Sequence, residues 1–226
     1  MLLAVDTSTS LTGLALYDGD HVLGEMMWTT KQHHTAELSP ALSGLLNRCG
    51  VTLASVHAVG VAIGPGSFTS LRVGLSLVKG IALARNLPVI GIPTLDVIAS
   101  AQPLARRPLI SMIQAGRTRI AYGEYQSVRK QWQAQGPVRS GTLADLLNQI
   151  ESPTFIAGEL TSEERRKISK VGKLQLASPA FCVRRPAVLA ELAWKRWRKN
   201  DVDDAASLAP IYLHVAGTPI QSHDKT

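Results

Sequence analysis

The chain has 226 residues, 45% of them hydrophobic, and carries a formal net charge of +7. This length allows one large domain or two smaller lobes, and we expect no membrane partner because no apolar run reaches the ~18 residues of a membrane span. Residues 1–10 lack a basic start and turn polar at Asp6, which excludes a signal peptide. The two cysteines, Cys49 and Cys182, match no metal or redox spacing and are typical of a reduced, cytoplasmic protein.

The positive charge is confined to the second half of the chain. Residues 1–100 contain 5 Lys or Arg and 6 Asp or Glu, whereas residues 101–226 contain 19 and 11. A balance of +8 in one half indicates an acidic partner, with nucleic acid first among the candidates. A solvated basic surface without a ligand explains the same numbers equally well.

Three strands are predicted at the start of the chain, over residues 2–6, 11–17 and 21–28. Because short turns join them, they should form an antiparallel meander. The first turn begins with Asp6, Thr7 and Ser8. These carboxylate and hydroxyl groups could face the phosphates and metal of a nucleotide, or they could be ordinary turn residues.

A helix is predicted over residues 33–48, starting either at Ser39 and Pro40 or nearer Thr35. Its apolar stripe consists of Leu38, Leu42, Leu45 and Leu46. His33, His34 and Glu37 suggest a metal site, but no third ligand lies at a suitable spacing. We therefore interpret them as exposed polar residues at the start of a helix.

A glycine loop at residues 64–69 separates a buried strand over residues 57–63 from a helix over residues 70–85. The start of a helix has free N–H groups at which an anion can bind. The loop is neither a Walker loop nor GxGxxG, so a tight turn with Ser67 or Thr69 as the helix cap is the alternative. The candidate nucleotide- or anion-binding residues are Asp6, Thr7, Ser8, Gly64, Gly66, Ser67 and Thr69.

The helix after this loop contains two glycines, each of which costs about 1 kcal/mol relative to alanine. Ser76, Gly80 and Ala84 fall at i, i+4 and i+8 and form a stripe of small side chains. Such a stripe allows close approach of a second backbone, which could belong to a partner or to this chain's own core. The expected partner interface comprises Leu38, Leu42, Leu45, Leu71, Gly74, Ser76, Leu77, Gly80 and Ala84.

The second half is predicted to repeat the first in part. Strands over residues 108–114 and 119–125 form a second hairpin, which indicates a duplicated lobe. A helix over 141–151 and a strand over 154–157 follow, and Thr161 to Glu164 fit a capping box. The proline-flanked basic segment at 102–108 marks the boundary. We expect an N-terminal lobe over 1–103, a basic C-terminal lobe over 104–218 and a disordered tail over 219–226.

The last predicted helix covers residues 186–200, with Pro186 in its first turn. Its end interleaves aromatic and basic residues. The candidate RNA-contacting residues there are Arg196, Arg198 and Lys199. Cations at a helix C-terminus also complement the helix dipole without any ligand.

Four stretches together resemble the TsaB (YeaZ) family: residues 6–9, 64–74, 91–95 and 208–213. The resemblance covers nearly the whole chain and is strongest over residues 1–100. It implies an α/β fold of the actin/Hsp70-like (ASKHA) type, with two related lobes of mixed sheet and flanking helices. It also implies a non-catalytic scaffold that forms a heterodimer with TsaD, works with TsaE and reaches tRNA through the complex. Alone, the chain is expected to form a homodimer.

The resemblance further implies that the complex transfers a threonylcarbamoyl group to the adenosine 3′ of the anticodon in tRNAs that read ANN codons. The modified nucleoside is threonylcarbamoyladenosine (t6A). The related TsaD carries two metal-binding histidines at i and i+4, where this chain has Thr94 and Ile98, and an isoleucine cannot bind a metal. The chain is thus expected to have no catalytic residue, metal or cofactor of its own, the ATP and the TsaD-bound metal belonging to the complex.

Two positions depart from the family pattern, namely Ser70, where glycine is usual, and Gln114, where an aspartate is usual. The alternative function is an ATP-dependent phosphotransferase of the ASKHA type or a metal-dependent glycoprotease-like enzyme. A phosphotransferase needs phosphate loops in both lobes and a carboxylate. Asp6 is the one clear candidate for that carboxylate.

Overall fold

The structure is a computed structural model that describes residues 1–30, 34–116 and 118–213. The described residues divide into two compact units, the first within residues 1–97 and 184–211 and the second within residues 98–183 together with residues 212 and 213. Within the described ranges, no helix is both long and apolar enough to cross a membrane.

The first unit is built on a five-stranded sheet with the order β3-β2-β1-β4-β5. Strands β1 to β3 form the predicted antiparallel meander, and β4 and β5 run parallel to β1. The strands are β1 (Leu2–Asp6), β2 (Leu11–Tyr17), β3 (Val22–Thr29), β4 (Ala58–Ala62) and β5 (Val89–Ile92). The helices are α1 (His34–Arg48), α2 (Phe68–Arg85) and α3 (Thr94–Ser100), with α6 (Pro186–Trp197) near the end of the chain.

Alternation along β1 divides the core of this unit into two layers. Leu3 and Val5 pack in the cluster that contains the apolar faces of α1 and α2, and Leu2 and Ala4 pack in the cluster that contains the face of α6. Close approach of α6 depends on a small residue in the sheet, since a Cβ on Gly60 would lie 2.7 Å from the Cβ of Ala193. The sheet is therefore covered by helices on both faces.

The position of α6 differs from the sequence-based division into residues 1–103 and 104–218. Leu189, Ala190 and Ala193 are fully buried against the first sheet, and residues 184–211 belong to the first unit. The physical reason is that the sheet has two apolar faces, and α1 and α2 cover only one of them. A segment distant in the sequence covers the other.

The second unit contains a six-stranded sheet with the order β11-β10-β6-β7-β8, and β9 pairs with β7. Strand β6 pairs antiparallel with β7 and parallel with β10, as β1 pairs with β2 and β4. The strand order of the first sheet is thus repeated, which confirms the predicted duplication. The strands are β6 (Leu109–Gln114), β7 (Ile120–Val128), β8 (Gln131–Ala134), β9 (Arg139–Gly141), β10 (Thr154–Gly158) and β11 (Leu174–Leu176). The helices are α4 (Leu143–Gln149) and α5 (Ser162–Ser169).

Several local predictions can be compared with the structure. Helix α1 begins at His34 with Pro40 inside it, so a start at Pro40 is wrong. The capping box between Thr161 and Glu164 and the first-turn position of Pro186 are confirmed. Strands β8, β9 and β11 were not expected. His33 and the tail over 219–226 lie outside the described residues.

Candidate functional site

The turn after β1 is a buried cluster of polar groups around Asp6. Its Oδ1 accepts a hydrogen bond from the Ser8 backbone N–H at 2.8 Å, and its Oδ2 accepts one from Arg184 Nε at 2.9 Å. Arg184 Nη2 also donates to the Leu11 carbonyl at 2.6 Å. Both carboxylate oxygens are thus engaged by groups of the chain itself.

The glycine loop packs directly on this turn. The backbone N–H of Ser67 donates to the Ser8 carbonyl at 2.7 Å, and a Cβ on Gly66 would lie 2.3 Å from that oxygen. Gly64 has a φ of +106°, a conformation that favours glycine, and its carbonyl accepts from the Thr94 N–H at 2.8 Å. The loop is therefore in contact with the chain's own backbone, which agrees with the tight turn that the sequence offered as the alternative to an anion site.

The hydroxyl groups of the turn bind to neighbouring elements. Thr7 Oγ1 donates to the Ser70 carbonyl at 2.6 Å, and Ser8 Oγ lies 2.8 Å from Thr94 Oγ1. Ser67 caps α2 by accepting from the Ser70 N–H, whereas Thr69 is exposed. The candidate anion-binding residues are brought together, but Asp6, Thr7, Ser8, Gly64 and Ser67 are all hydrogen-bonded to other groups of the chain.

Sequence analysis missed Arg184, the most deeply buried cation of this cluster, whose side chain is 0% exposed. Its partner Asp6 lies 178 residues earlier, and no local pattern marks either residue as half of a pair. The nearest signal is its position just ahead of Pro186, where α6 begins.

Of the three residues considered for metal binding, Glu37 is the one whose side chain the structure describes. Thr94 and Ile98 are both fully buried, and Glu37 Oε2 accepts from Trp28 Nε1 at 2.8 Å. Among the described residues, no group of three or more His, Cys, Asp or Glu side chains could hold a metal ion. In the second unit, Gln114 Nε2 donates to Glu164 Oε2 at 2.7 Å and so links β6 to α5.

A groove of about 550 Å³ lies between α1 and α2. Phe68 at its rim is 52% exposed, and the Arg72 guanidinium lies 4.0 Å from the centre of the Phe68 ring. The lining residues are Thr35, Leu38, Ser39, Phe68, Thr69, Arg72, Val73, Ser76 and Leu77. Among the lining residues that the structure describes, apolar side chains form the interior of the groove and Arg72 is the cation at its edge.

The small-residue stripe of α2 faces outward. Ser76, Gly80 and Ala84 are exposed, and a Cβ on Gly80 would meet nothing within 4 Å. Leu83, on the same side of the helix, is 87% exposed. The sequence left open whether this stripe packs against the chain's own core. In the part of the chain that the structure describes, it does not.

Five members of the expected interface lie in the core of the first unit, and this corrects the prediction. They are Leu38, Leu42, Leu45, Leu71 and Gly74. The leucine stripe of α1 faces the sheet, and Gly74 adjoins Thr7, since a Cβ there would lie 2.3 Å from Thr7 Oγ1. The accessible members are Ser76, Gly80 and Ala84, with Leu77 half-buried.

Of the three candidate RNA-contacting residues at the basic end of α6, one is bound within the chain and two are exposed. Arg196 forms two hydrogen bonds with Asp201, at 2.8 and 3.0 Å, and donates to the Gly91 carbonyl at 2.7 Å. The hydrogen bonds to Asp201, with help from Asp203, raise the pKa of Arg196 against the opposing effect of burial. This geometry opposes the expected RNA contact for Arg196, whereas Arg198 and Lys199 are exposed.

Comparison with known proteins identifies the family. The family model "TsaD: tRNA N6-adenosine threonylcarbamoyltransferase" matches residues 22–192. The tRNA threonylcarbamoyladenosine biosynthesis protein TsaB of Bacillus subtilis (strain 168) is 29% identical, over 95% of this chain and 94% of the relative. The chain belongs to the TsaB/YeaZ family.

Two further comparisons agree with TsaB/YeaZ membership. The TsaB of Haemophilus influenzae is 26% identical, over 94% of this chain and 92% of that protein. The solved structure of YeaZ from Pseudomonas aeruginosa superimposes with a TM-score of 0.74 at 24% identity and covers 94% of this chain and 99% of that chain. The superposition with YeaZ and the repeated strand order confirm the predicted α/β fold with two related lobes of mixed sheet and flanking helices.

Proposed function

We propose that this TsaB/YeaZ protein is a non-catalytic subunit in t6A synthesis that binds TsaD through the outer face of α2 and the adjoining α1–α2 groove. The observation that carries this proposal is the open space above Gly80 in the middle of an 18-residue helix. An exposed mid-helix glycine costs about 1 kcal/mol. Close approach of a partner helix offsets that cost.

The chemistry of this surface suits a helical partner. Small side chains at i, i+4 and i+8 let two helix backbones approach closely, while Leu83 and Phe68 supply exposed apolar area. The same face can pair with a second copy through a two-fold contact when TsaD is absent. TsaE, ATP and the TsaD-bound metal then act in the assembled complex, through which tRNA is reached.

Two observations support the non-catalytic part of the proposal. The Asp6 carboxylate is already bonded to Arg184 and to the Ser8 N–H. Thr94 and Ile98, at which the resemblance places the metal ligands of TsaD, are both fully buried. Of the alternatives, an ASKHA-type phosphotransferase needs Asp6 free to act, and a metal-dependent glycoprotease-like enzyme needs metal ligands at Thr94 and Ile98. ATP turnover or t6A formation by the purified chain without TsaD would favour that alternative.

The decisive experiment replaces Gly80 with leucine. Because a Cβ at Gly80 has open space around it, Gly80→Leu should fold at least as stably as the wild type while blocking close approach of a partner. We expect loss of TsaD pull-down, of self-association and of t6A formation by the reconstituted complex. Ser169→Leu adds a leucine to exposed α5 in the second unit and should retain all three. Normal TsaD binding by Gly80→Leu would exclude this face as the interface.

A further inference from the structure

The turn between β7 and β8 holds two adjacent cations in a strained backbone. Arg129 and Lys130 have φ values of +50° and +62° and connect strands that end at Val128 and begin at Gln131. A two-residue hairpin turn with both φ values positive is normally built from Asn and Gly. Residues that carry a Cβ are disfavoured in this region of φ. A role for these two cationic side chains would explain why the turn contains Arg and Lys where Asn and Gly are usual.

The charge of the turn is not compensated. Residues 125–138 contain Arg129 and Lys130 but no Asp or Glu. Both turn cations are exposed, and across the described residues neither forms an ion pair or a hydrogen bond. Two unpaired cations at the tip of a hairpin are positioned to meet an anion from outside the chain.

The strand register extends this surface away from the tip. Val128 pairs with Gln131 and Gln126 with Gln133, which places the three glutamines on one face of the hairpin. The other face carries Tyr125, which is buried, and Trp132, whose Nε1 donates to the Gln102 carbonyl at 3.2 Å. The inner face thus anchors the hairpin, and the amide side chains point the opposite way.

Towards the core, the same face ends at an ion pair. Glu124 follows Gln126 on this face, and its carboxylate pairs with Arg139 of β9, whose guanidinium lies 5.3 Å from the centre of the Tyr122 ring. Tyr122 itself is buried in the core of the second unit, so the exposed part of the face runs about 13 Å along β7 from the tip to Glu124, at roughly 3.3 Å per residue. We call this exposed part the amide ladder, formed by Arg129, Lys130, Gln126, Gln131 and Gln133.

We propose that the amide ladder binds RNA, with Arg129 and Lys130 on backbone phosphates and the glutamines on ribose hydroxyls or base edges. Phosphate contacts position a nucleic acid, whereas amides can both donate to and accept from the 2′-OH and the bases. The choice of RNA rests on the proposed function in tRNA modification. Protection of the β8 edge against strand pairing, or binding of an acidic polypeptide, is the competing explanation.

The test exploits the strained turn. Arg129→Asn combined with Lys130→Gly removes both cations and installs the residues that this turn type prefers, so the variant should melt at a higher temperature than the wild type. Lys170→Gln combined with Lys173→Gln removes the same charge from exposed positions of the same unit. Each variant is titrated with fluorescein-labelled tRNA transcript between 50 and 200 mM salt, as the full chain alone and in complex with TsaD.

We expect the turn variant to bind tRNA about 3- to 10-fold more weakly at 50 mM salt, with the slope of log K against log[salt] reduced by about 1–2, because each lost phosphate contact removes roughly 0.7–0.9. The Lys170 and Lys173 variant should lose much less affinity. Equal losses in the two variants, an unchanged slope, or no RNA binding by wild type in either form would overturn the proposal. So would competition by poly-glutamate as effective as that by unlabelled tRNA. TsaD pull-down, measured in parallel, reports the proposed function separately.

Discussion

Asp6 and Arg184 show how far single residues could be predicted from the sequence. Asp6 stood out because a carboxylate in the first turn is chemically conspicuous, but its partner comes from the segment ahead of α6. By contrast, the Ser67 cap and the capping box at Thr161 involve residues three positions apart and were predicted. Hydrogen bonds between residues close in the sequence can be recognised from the spacing of residue types. A pair that only the fold brings together, such as Asp6 and Arg184, has no such spacing.

Replacing Arg184 tests the buried ion pair. Arg184→Leu leaves the Asp6 carboxylate without its cation in a site where both side chains are at most 2% exposed, so the free energy of unfolding should fall by about 3–5 kcal/mol. Adding Asp6→Asn should restore part of it, because the uncompensated charge is removed. Lys195→Leu, in an exposed pair with Glu191, should change stability by no more than about 0.5 kcal/mol. Urea unfolding measures all three, and a wild-type value for Arg184→Leu would contradict the assignment.

Charge reversal should destabilise the chain at Arg196 but not at the exposed residues Arg198 and Lys199. Arg196→Glu places a carboxylate beside Asp201 and Asp203 and removes a donor to Gly91, so it should destabilise the chain by at least about 2 kcal/mol. Arg198→Glu with Lys199→Glu alters exposed side chains and should stay within about 0.5 kcal/mol. Thermal melts distinguish the two. Any effect of the exposed pair on tRNA binding can then be interpreted without unfolding, and equal destabilisation would refute the described network.

Helix α2 has one face buried in the core and one face exposed. The sequence predicted the helix, but not which of its small residues lie on which face. Its apolar residues are buried at helical spacing, as expected. Its small residues were ambiguous because a glycine allows close approach on either side. The structure separates them, since Gly74 meets Thr7 of the first turn and Gly80 meets open space. The identity of the neighbour depends on topology, which helical periodicity does not contain.

The same substitution at the two glycines should therefore have opposite effects. A Cβ at Gly74 would lie 2.3 Å from Thr7 Oγ1, so Gly74→Ala should destabilise the chain by about 1–3 kcal/mol through overpacking. Gly80→Ala gains helix propensity without a clash and should stabilise it by about 0.5–1 kcal/mol. Because helix and residue types are identical, each variant is the control for the other. Chemical denaturation that shows the same sign for both would contradict the assigned faces.

At the scale of the whole molecule, the duplicated lobes could be predicted from two similar hairpins, but the course of the chain between them could not. The repeated pairing of β1 with β2 and β4, and of β6 with β7 and β10, follows from strand patterns that each lobe carries. The return of residues 184–211 to the first unit cannot be predicted from these strand patterns. It occurs because the sheet has a second apolar face, which a further helix must cover.

This return of the chain predicts which fragments fold. A fragment of residues 1–103 ends at the boundary suggested by the sequence and lacks α6, so it exposes the sheet face formed by Leu2, Ala4 and Ile90. We expect it to aggregate or to melt without cooperativity, because that apolar area stays in water. Residues 1–97 joined to 184–211 by a Gly/Ser linker of about 20 residues, which spans roughly 25 Å, should regain a cooperative melt. Circular dichroism and size-exclusion chromatography compare the two, and a stable, monomeric 1–103 fragment would show that α6 is dispensable for the first unit.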